Sequence, residues 1–157
     1  MRFTAAVISS VSLLLMTACA GSPAPVPAEP TSARACAGLP SALLDQALAD
    51  LRANVDQVQP LRNRSTKLTP RSIGAVVQVR ATPGMTAEWL GQVLQCDAAR
   101  RPSASCAAGA CPLVPDGAVM AVTSTPTGFA IEVRARELEL ALEIQERAKQ
   151  FSRPTPL

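Results

Sequence analysis

Histidine and tyrosine are absent from the 157 residues, and aromatic side chains are scarce throughout. Without histidine, the chain lacks the commonest general base, the commonest zinc and copper ligand, and every Ser-His or Cys-His nucleophile pair. The four aromatic residues are Phe3, Trp89, Phe129 and Phe151. Since most carbohydrate and peptide grooves are lined with aromatic rings, this scarcity disfavours sites of that kind.

Paired carboxylates are the remaining route to acid–base chemistry. Glu88 and Asp97 fall on one predicted helix, nine residues apart, so they face opposite sides and lie about 13 Å apart along the axis. We interpret Glu88 as a residue that favours the start of the helix, and Asp97 as a solvated residue at its end. The sequence therefore predicts no enzyme, no catalytic residue, no metal ligand and no cofactor.

The charge balance is also modest. The chain has 15 Lys and Arg against 12 Asp and Glu, a net charge of +3, which is too small to indicate binding to nucleic acid. The basic cluster Arg62, Arg64, Lys67 and Arg71 contains no aromatic residue that could stack on a base. We interpret it as a solvated loop, with lipid headgroups or peptidoglycan as alternative contacts.

The N-terminal segment has the layout of a secretory signal. Met1-Arg2 is basic, and Phe3–Met16 is uncharged, mostly apolar and too short to span a membrane. Met16-Thr17-Ala18-Cys19 resembles the lipobox of bacterial lipoproteins, which implies cleavage after residue 18 and a lipid anchor on Cys19. In that family Ala20, rather than Asp, after the cysteine implies the outer membrane, so we expect attachment to its inner leaflet, facing the periplasm.

These features divide the chain into four parts. Residues 1–18 are the predicted signal peptide, and residues 19–35 are the lipidated cysteine with a Pro- and Ala-rich tether. The tether lacks the apolar side chains of a core, so we expect it to be semi-extended. Residues 36–152 are predicted to form a single domain, and residues 153–157 a loose tail.

Four cysteines remain besides Cys19, namely Cys36, Cys96, Cys106 and Cys111. An even number in an exported chain predicts two disulfides, with three possible pairings. The alternative is a thiol-redox or soft-metal protein that uses Cys96, Cys106 and Cys111 as reactive thiols. No Cys-x-x-Cys spacing is present, which favours structural disulfides over that alternative.

Apolar periodicity predicts three helices and three strands. The first helix is expected from Pro40–Ser41 to Val58 and ends before Pro60, because its apolar residues follow 4-3-4-3 spacing: Leu44, Leu48, Leu51, Val55 and Val58. The other predicted elements are a strand at Gly74–Ala81, a helix capped by Thr86 that ends near 97–101, strands at Ala118–Thr123 and Phe129–Arg134, and a helix at Glu137–Phe151.

The last helix shows a broad apolar face. Its expected core residues are Leu140, Ile144, Ala148 and Phe151, widened by Leu138, Ala141 and Leu142. The Glu143–Arg147 pair is expected to support the helix by a few tenths of a kcal/mol and to have no catalytic role.

The order α-β-α-β-β-α predicts a small two-layer α+β domain. A strand, a crossover helix and a hairpin make a three-stranded, mainly antiparallel sheet in the split βαβ manner, with helices on one face. Such a domain is similar to a ferredoxin-like fold that lacks its last strand. The bacterial BON module has a related order, an analogy at the level of the fold alone.

The segment from Pro83 to Cys96, then Cys111 to Pro115 and Ser124 to Arg134, resembles a group of small uncharacterised bacterial envelope proteins. That group carries no assigned activity, and its members have histidine where this chain has Asp97. Its retained cysteines imply Cys96–Cys111 and Cys36–Cys106 pairs. The rival, from this sequence alone, is a local Cys106–Cys111 bridge with Cys36–Cys96 joining two helices.

From the sequence we expect a lipid-anchored envelope protein that is not an enzyme. Its domain is predicted to bind another envelope protein or a cell-wall component, and it reaches the membrane through Cys19. Nucleic acid is not an expected partner.

Overall fold

The computed structural model describes residues 34–63, 70–101 and 111–153, which form three helices and four strands. In chain order these are α1 (Ser41–Ala53), β1 (Val55–Arg62), β2 (Ser72–Arg80), α2 (Ala87–Arg100), β3 (Val119–Thr125), β4 (Gly128–Arg134) and α3 (Leu138–Phe151). The predicted α+β class is confirmed. Outside the described residues lie the predicted signal peptide, Cys19, nearly all of the tether, Arg64, Lys67, Cys106 and residues 154–157 of the tail.

The strands form one antiparallel sheet in the order β1-β2-β4-β3. Strands β2 and β3 are both antiparallel to β4, which lies between them, so β2 and β3 run parallel and α2 is the crossover. This is the split βαβ arrangement expected from the sequence. The expected three-stranded sheet is wrong by one strand, because β1 adds to the outer side of β2.

Strand β1 occupies residues that the sequence assigned to the first helix and the following loop. The helix ends at Ala53, and Val55 and Val58 pair with β2 instead of extending the apolar stripe. A three-residue spacing does not fit a regular strand, whose side chains alternate, but the register shift between Val55 and Gln57 brings both valines against the core. Pro60 ends no helix. It lies in an edge strand, where its missing N–H removes no ladder hydrogen bond.

The core lies between one face of the sheet and the helices. Alternate residues of the two central strands are buried on that face: Ala75, Val77, Val79, Phe129, Ile131 and Val133. They pack against the buried sides of the helices, which include Leu44, Leu48, Leu51, Leu90, Val93, Leu94, Ile144 and Ala148. The other face of the sheet carries exposed side chains such as Gln57 and Thr123.

Helix α3 buries a narrower apolar face than its sequence suggests. Leu138 and Leu142 are exposed, because they lie beyond the edge of the helix face that covers β2. Arg147 is buried instead, and its guanidinium bonds both Glu143 and the carbonyl oxygen of Pro112, the latter at 3.1 Å. The Glu143–Arg147 pair therefore does more than support a helix, since Arg147 attaches α3 to the segment after Cys111.

A disulfide joins Cys36 to Cys96, with Cα atoms 4.7 Å apart. The pairing implied by the resemblance is wrong for these two cysteines, and the rival pairing from the sequence is confirmed for them. The physical reason is that the turn before α1 lies directly on α2, where Gln92 also donates to the carbonyl oxygen of Ala37 at 2.7 Å. Cys111 is disulfide-bonded as well, to a partner outside the described residues.

Candidate binding groove

The two edges of the sheet differ in how they are protected. Strand β1 contains Asp56, Pro60 and Arg62 and has irregular register at both ends, all of which discourage pairing with another strand. Strand β3, with the sequence Val-Met-Ala-Val-Thr-Ser-Thr, has no charged residue and no proline. Among the described residues, it pairs with β4 on one side and with no strand on the other.

The backbone groups on the free side of β3 can be assigned from the hydrogen-bond pattern. The Ala135 N–H donates to the Ile73 carbonyl, so odd-numbered residues along β4 face β2 and even-numbered residues face β3. The β3 residues paired with those even-numbered β4 residues are odd-numbered, so the odd-numbered residues of β3 face β4 and its even-numbered residues face away from β4. Met120, Val122 and Ser124 therefore direct their N–H and C=O groups toward the open edge.

A groove runs beside this edge, between β3 and helix α2. It consists of two adjoining cavities of about 600 and 300 Å³ that share Gln95 and Met120 in their linings. Its walls are formed mostly by small or apolar side chains: Ala87, Gly91, Ala98, Ala99, Val114, Pro115, Ala118, Met120 and Val122. The free edge of β3 and the space for side chains are thus side by side.

The sequence of α2 explains why this groove is open. The Thr86 hydroxyl accepts a hydrogen bond from the Trp89 N–H at 3.1 Å, which starts the helix at Ala87 as predicted. Leu90, Val93 and Leu94 are buried and fix the rotation of the helix. The side turned to β3 then carries small residues between the polar side chains of Glu88, Gln92 and Gln95. A Cβ atom at Gly91 would have no neighbour within 4 Å.

Charge contributes little to the groove. Glu88 lines one end and is exposed to solvent. Asp116 lines the other end and has an interaction of its own within the protein. The arrangement therefore suits main-chain hydrogen bonds combined with apolar side-chain contacts, which is how an edge strand and a neighbouring helix bind an extended peptide.

Asp97 was expected to be a solvated residue at the end of a helix, but it is buried, with 1% of its surface exposed. Its Oδ1 accepts a hydrogen bond from Arg101 Nε at 2.7 Å, while Oδ2 has no partner in the part of the chain that is described. Burial raises the pKa of Asp97, and the charge and hydrogen bond of Arg101 and the charge of Arg52 offset part of that rise. The prediction was wrong because α1, through Arg52, closes over this turn of α2.

The charged cluster around Asp97 lies in the packing between helices and not in a cleft. The Arg52 guanidinium stacks over the Phe151 ring at 5.1 Å from its centre, which places it between α1 and α3. Asp97 lines neither part of the groove, whereas Glu88 does. The carboxylates of Glu88 and Asp97 therefore lie apart, and the helix geometry had predicted this separation.

The cysteines offer no reactive site in the described residues. Cys36 and Cys96 form a disulfide and Cys111 is disulfide-bonded, so two of the three thiols of the redox alternative are already oxidised. Among residues 34–63, 70–101 and 111–153, no three acidic or cysteine side chains converge as metal ligands would.

The groove was missed by sequence reasoning, which assigned only disulfides and a lipid anchor. The available indication was the uncharged, proline-free run Val119–Thr125, the pattern of an unprotected edge strand. Whether that strand lies at an edge depends on the sheet order, which local periodicity does not contain. No helix within the described ranges is long and apolar enough to cross a membrane.

No protein-family model, curated protein or solved structure matches the chain.

Proposed function

We propose that the protein is a lipid-anchored envelope protein, without enzymatic activity, whose domain binds an extended segment of another envelope protein. The observation that supports it most directly is the unpaired edge of β3 beside an open groove. The partner segment would add a fifth strand to the sheet through the N–H and C=O groups of Met120, Val122 and Ser124. Its alternate side chains would enter the space beside Gly91.

The scarcity of aromatic residues is compatible with this mode of binding. Strand addition derives its affinity from main-chain hydrogen bonds, and its specificity from pockets for alternate side chains. An aromatic platform is not required. The groove is also bounded by α2, so it admits one extended chain more readily than the edge of a second sheet carrying its own helix.

The test places a photo-crosslinking amino acid at Ser124, on the free edge, in cells that produce the full chain. We expect a defined adduct with one envelope protein, and no such adduct from Gln150, which is exposed on α3. Gly91→Arg should abolish the adduct without harming the fold, because the new side chain fills the groove and arginine favours helix more than glycine does. Gln150→Arg, a change of similar size outside the groove, should leave it intact.

Strand addition at β3 is tested with a synthetic peptide that has the sequence of the partner segment identified by crosslinking. Binding should slow amide hydrogen exchange at Met120, Val122 and Ser124, and Gly91→Arg should weaken binding at least tenfold. The proposal is refuted by an adduct with a second copy of this chain, by the absence of any adduct, or by an adduct that Gly91→Arg leaves unchanged.

The proposed anchor is tested by the intact mass of the protein extracted from membranes. We expect a chain that starts at Cys19, carries the mass of a lipid, and gains no alkyl group from a thiol reagent before reduction. An unlipidated chain would refute the anchor. Thiols that react before reduction would instead favour the redox alternative.

A further inference from the structure

Ala35, the last residue of the tether, lies at the same end of the sheet as the start of β2. Ala35 lines the groove together with Gly117 and Ala118, immediately before β3 begins. Strands β2 and β3 are parallel, so the start of β2 lies at this end too, and Ser72 there pairs with Arg62. We name this the tether end.

Two cationic side chains at this end have no partner among the described residues. Within the described residues, the side chains of Arg62 and Arg71 make no hydrogen bond or ion pair. Between Asp56 and Glu88 the chain has no acidic residue, and it has five basic ones: Arg62, Arg64, Lys67, Arg71 and Arg80. Of these, Arg62 and Arg71 lie in the described part of the chain at the tether end, where β1 ends and β2 begins.

A cavity of about 440 Å³ lies beside the hairpin, between the sheet and α3. Its charged lining side chains are Arg62 and Lys149, and Lys149 already pairs with Glu146. Leu142, which is 49% exposed, forms part of the same lining. A cation beside an apolar surface suits a ligand with an anionic head and an acyl chain.

Exposed apolar side chains share this end. Leu138 begins α3 directly after β4 ends at the tether end, and it is 42% exposed. Val119, the first residue of β3, is 69% exposed. Glu132 at this end pairs with Arg134, and Glu137 and Glu139 lie at the start of α3. None of these carboxylates lines the cavity that Arg62 lines.

We propose that the tether end docks on an anionic phospholipid surface, with the Arg62 guanidinium and the Leu142 side chain holding one headgroup and its acyl chain. Arginine binds phosphate oxygens in a bidentate manner, and each basic residue near such a surface adds to the attraction. The orientation relative to the tether rests on the proposed anchor at Cys19. The lipid contact itself rests on the hairpin and α3 alone.

The test uses the chain from residue 20 to 157, which lacks Cys19 and retains every residue of the core. Its sedimentation with vesicles of phosphatidylcholine and phosphatidylglycerol at 70:30 is compared with pure phosphatidylcholine. We expect binding only to the anionic vesicles, weakened about twenty-five-fold by Arg62→Gln/Arg71→Gln, since each arginine contributes about fivefold. Leu142→Ser should also weaken it.

Arg80→Gln is the matched control, because Arg80 is exposed and pairs with Gly128 at the opposite end of the sheet. Equal binding to both kinds of vesicle, or equal losses from Arg80→Gln and Arg62→Gln, would overturn the proposal. Binding to purified peptidoglycan in place of vesicles would also overturn it. None of these outcomes depends on the groove or on lipidation, so the failure of this inference is distinct from that of the proposed function.

Discussion

Removal of the Cys36–Cys96 bridge should cost the domain a large part of its stability while leaving the apolar side chains of the core intact. The bridged cysteines are 60 residues apart in the sequence. In the chain-entropy model, a cross-link that closes a loop of this length limits the unfolded ensemble by about 4 kcal/mol. Small domains have total stabilities of about 5–15 kcal/mol, so the loss would be a large part of the whole.

The bridge can be isolated in the background Cys106→Ala/Cys111→Ala, where Cys36 and Cys96 are the remaining cysteines of the domain. Urea unfolding with and without reductant then measures how much the cross-link contributes to the free energy of unfolding, with the same amino-acid sequence in both experiments. We expect the reduced form to be less stable by up to about 4 kcal/mol. Cys96 is fully buried, so its thiol should react with an alkylating reagent only after unfolding.

Two outcomes would refute this reasoning. One is a difference of less than about 1 kcal/mol between the oxidised and reduced forms, which would mean that the bridge constrains little. The other is a non-reduced peptide map of the wild-type protein that links Cys96 to Cys111, as the resemblance implied.

Two further predictions concern a buried charge and a crowded glycine. Burial raises the pKa of Asp97, so the folded state keeps its proton to higher pH than the unfolded state, whose value is near 3.9. The free energy of unfolding of wild type should therefore fall relative to that of Asp97→Asn as pH rises above about 4. Urea unfolding of both proteins at several pH values measures this difference. If the two plots of unfolding free energy against pH run parallel, the prediction is contradicted. Gly74→Ala should abolish the cooperative unfolding transition in a thermal melt, because its Cβ would lie 1.9 Å from the Val133 carbonyl oxygen. Gly91→Ala should retain that transition, because its Cβ would have no neighbour within 4 Å.

Elements whose boundaries depend on neighbouring residues were predictable. Thr86 caps α2, the β3–β4 hairpin forms, and α3 ends at Phe151. In each case the decisive interactions lie within a few residues along the chain, as in capping, turns and the helical period. The split βαβ topology followed from the order of these elements.

Strand β1 shows why other parts were not predictable. The spacing of Val55 and Val58 continues the helical stripe, yet both residues lie in an edge strand. They do so because β2 offers an edge to pair with and an irregular register after Val55 brings both against the core. The burial of Asp97 and Arg147 has the same origin, since each depends on which distant segment packs against its helix. Spacing within one segment contains no such information.

The sequence by itself determined the α+β class, the cysteine inventory and the ends of α2 and α3, because these depend on composition and on short-range interactions. Only the tertiary structure decided that Cys36 pairs with Cys96, that β3 is an edge strand beside Gly91, and that Arg62 shares an end of the sheet with Ala35. Each of these depends on contacts between residues far apart in the chain, which are set when the helices and the sheet bury their apolar faces together.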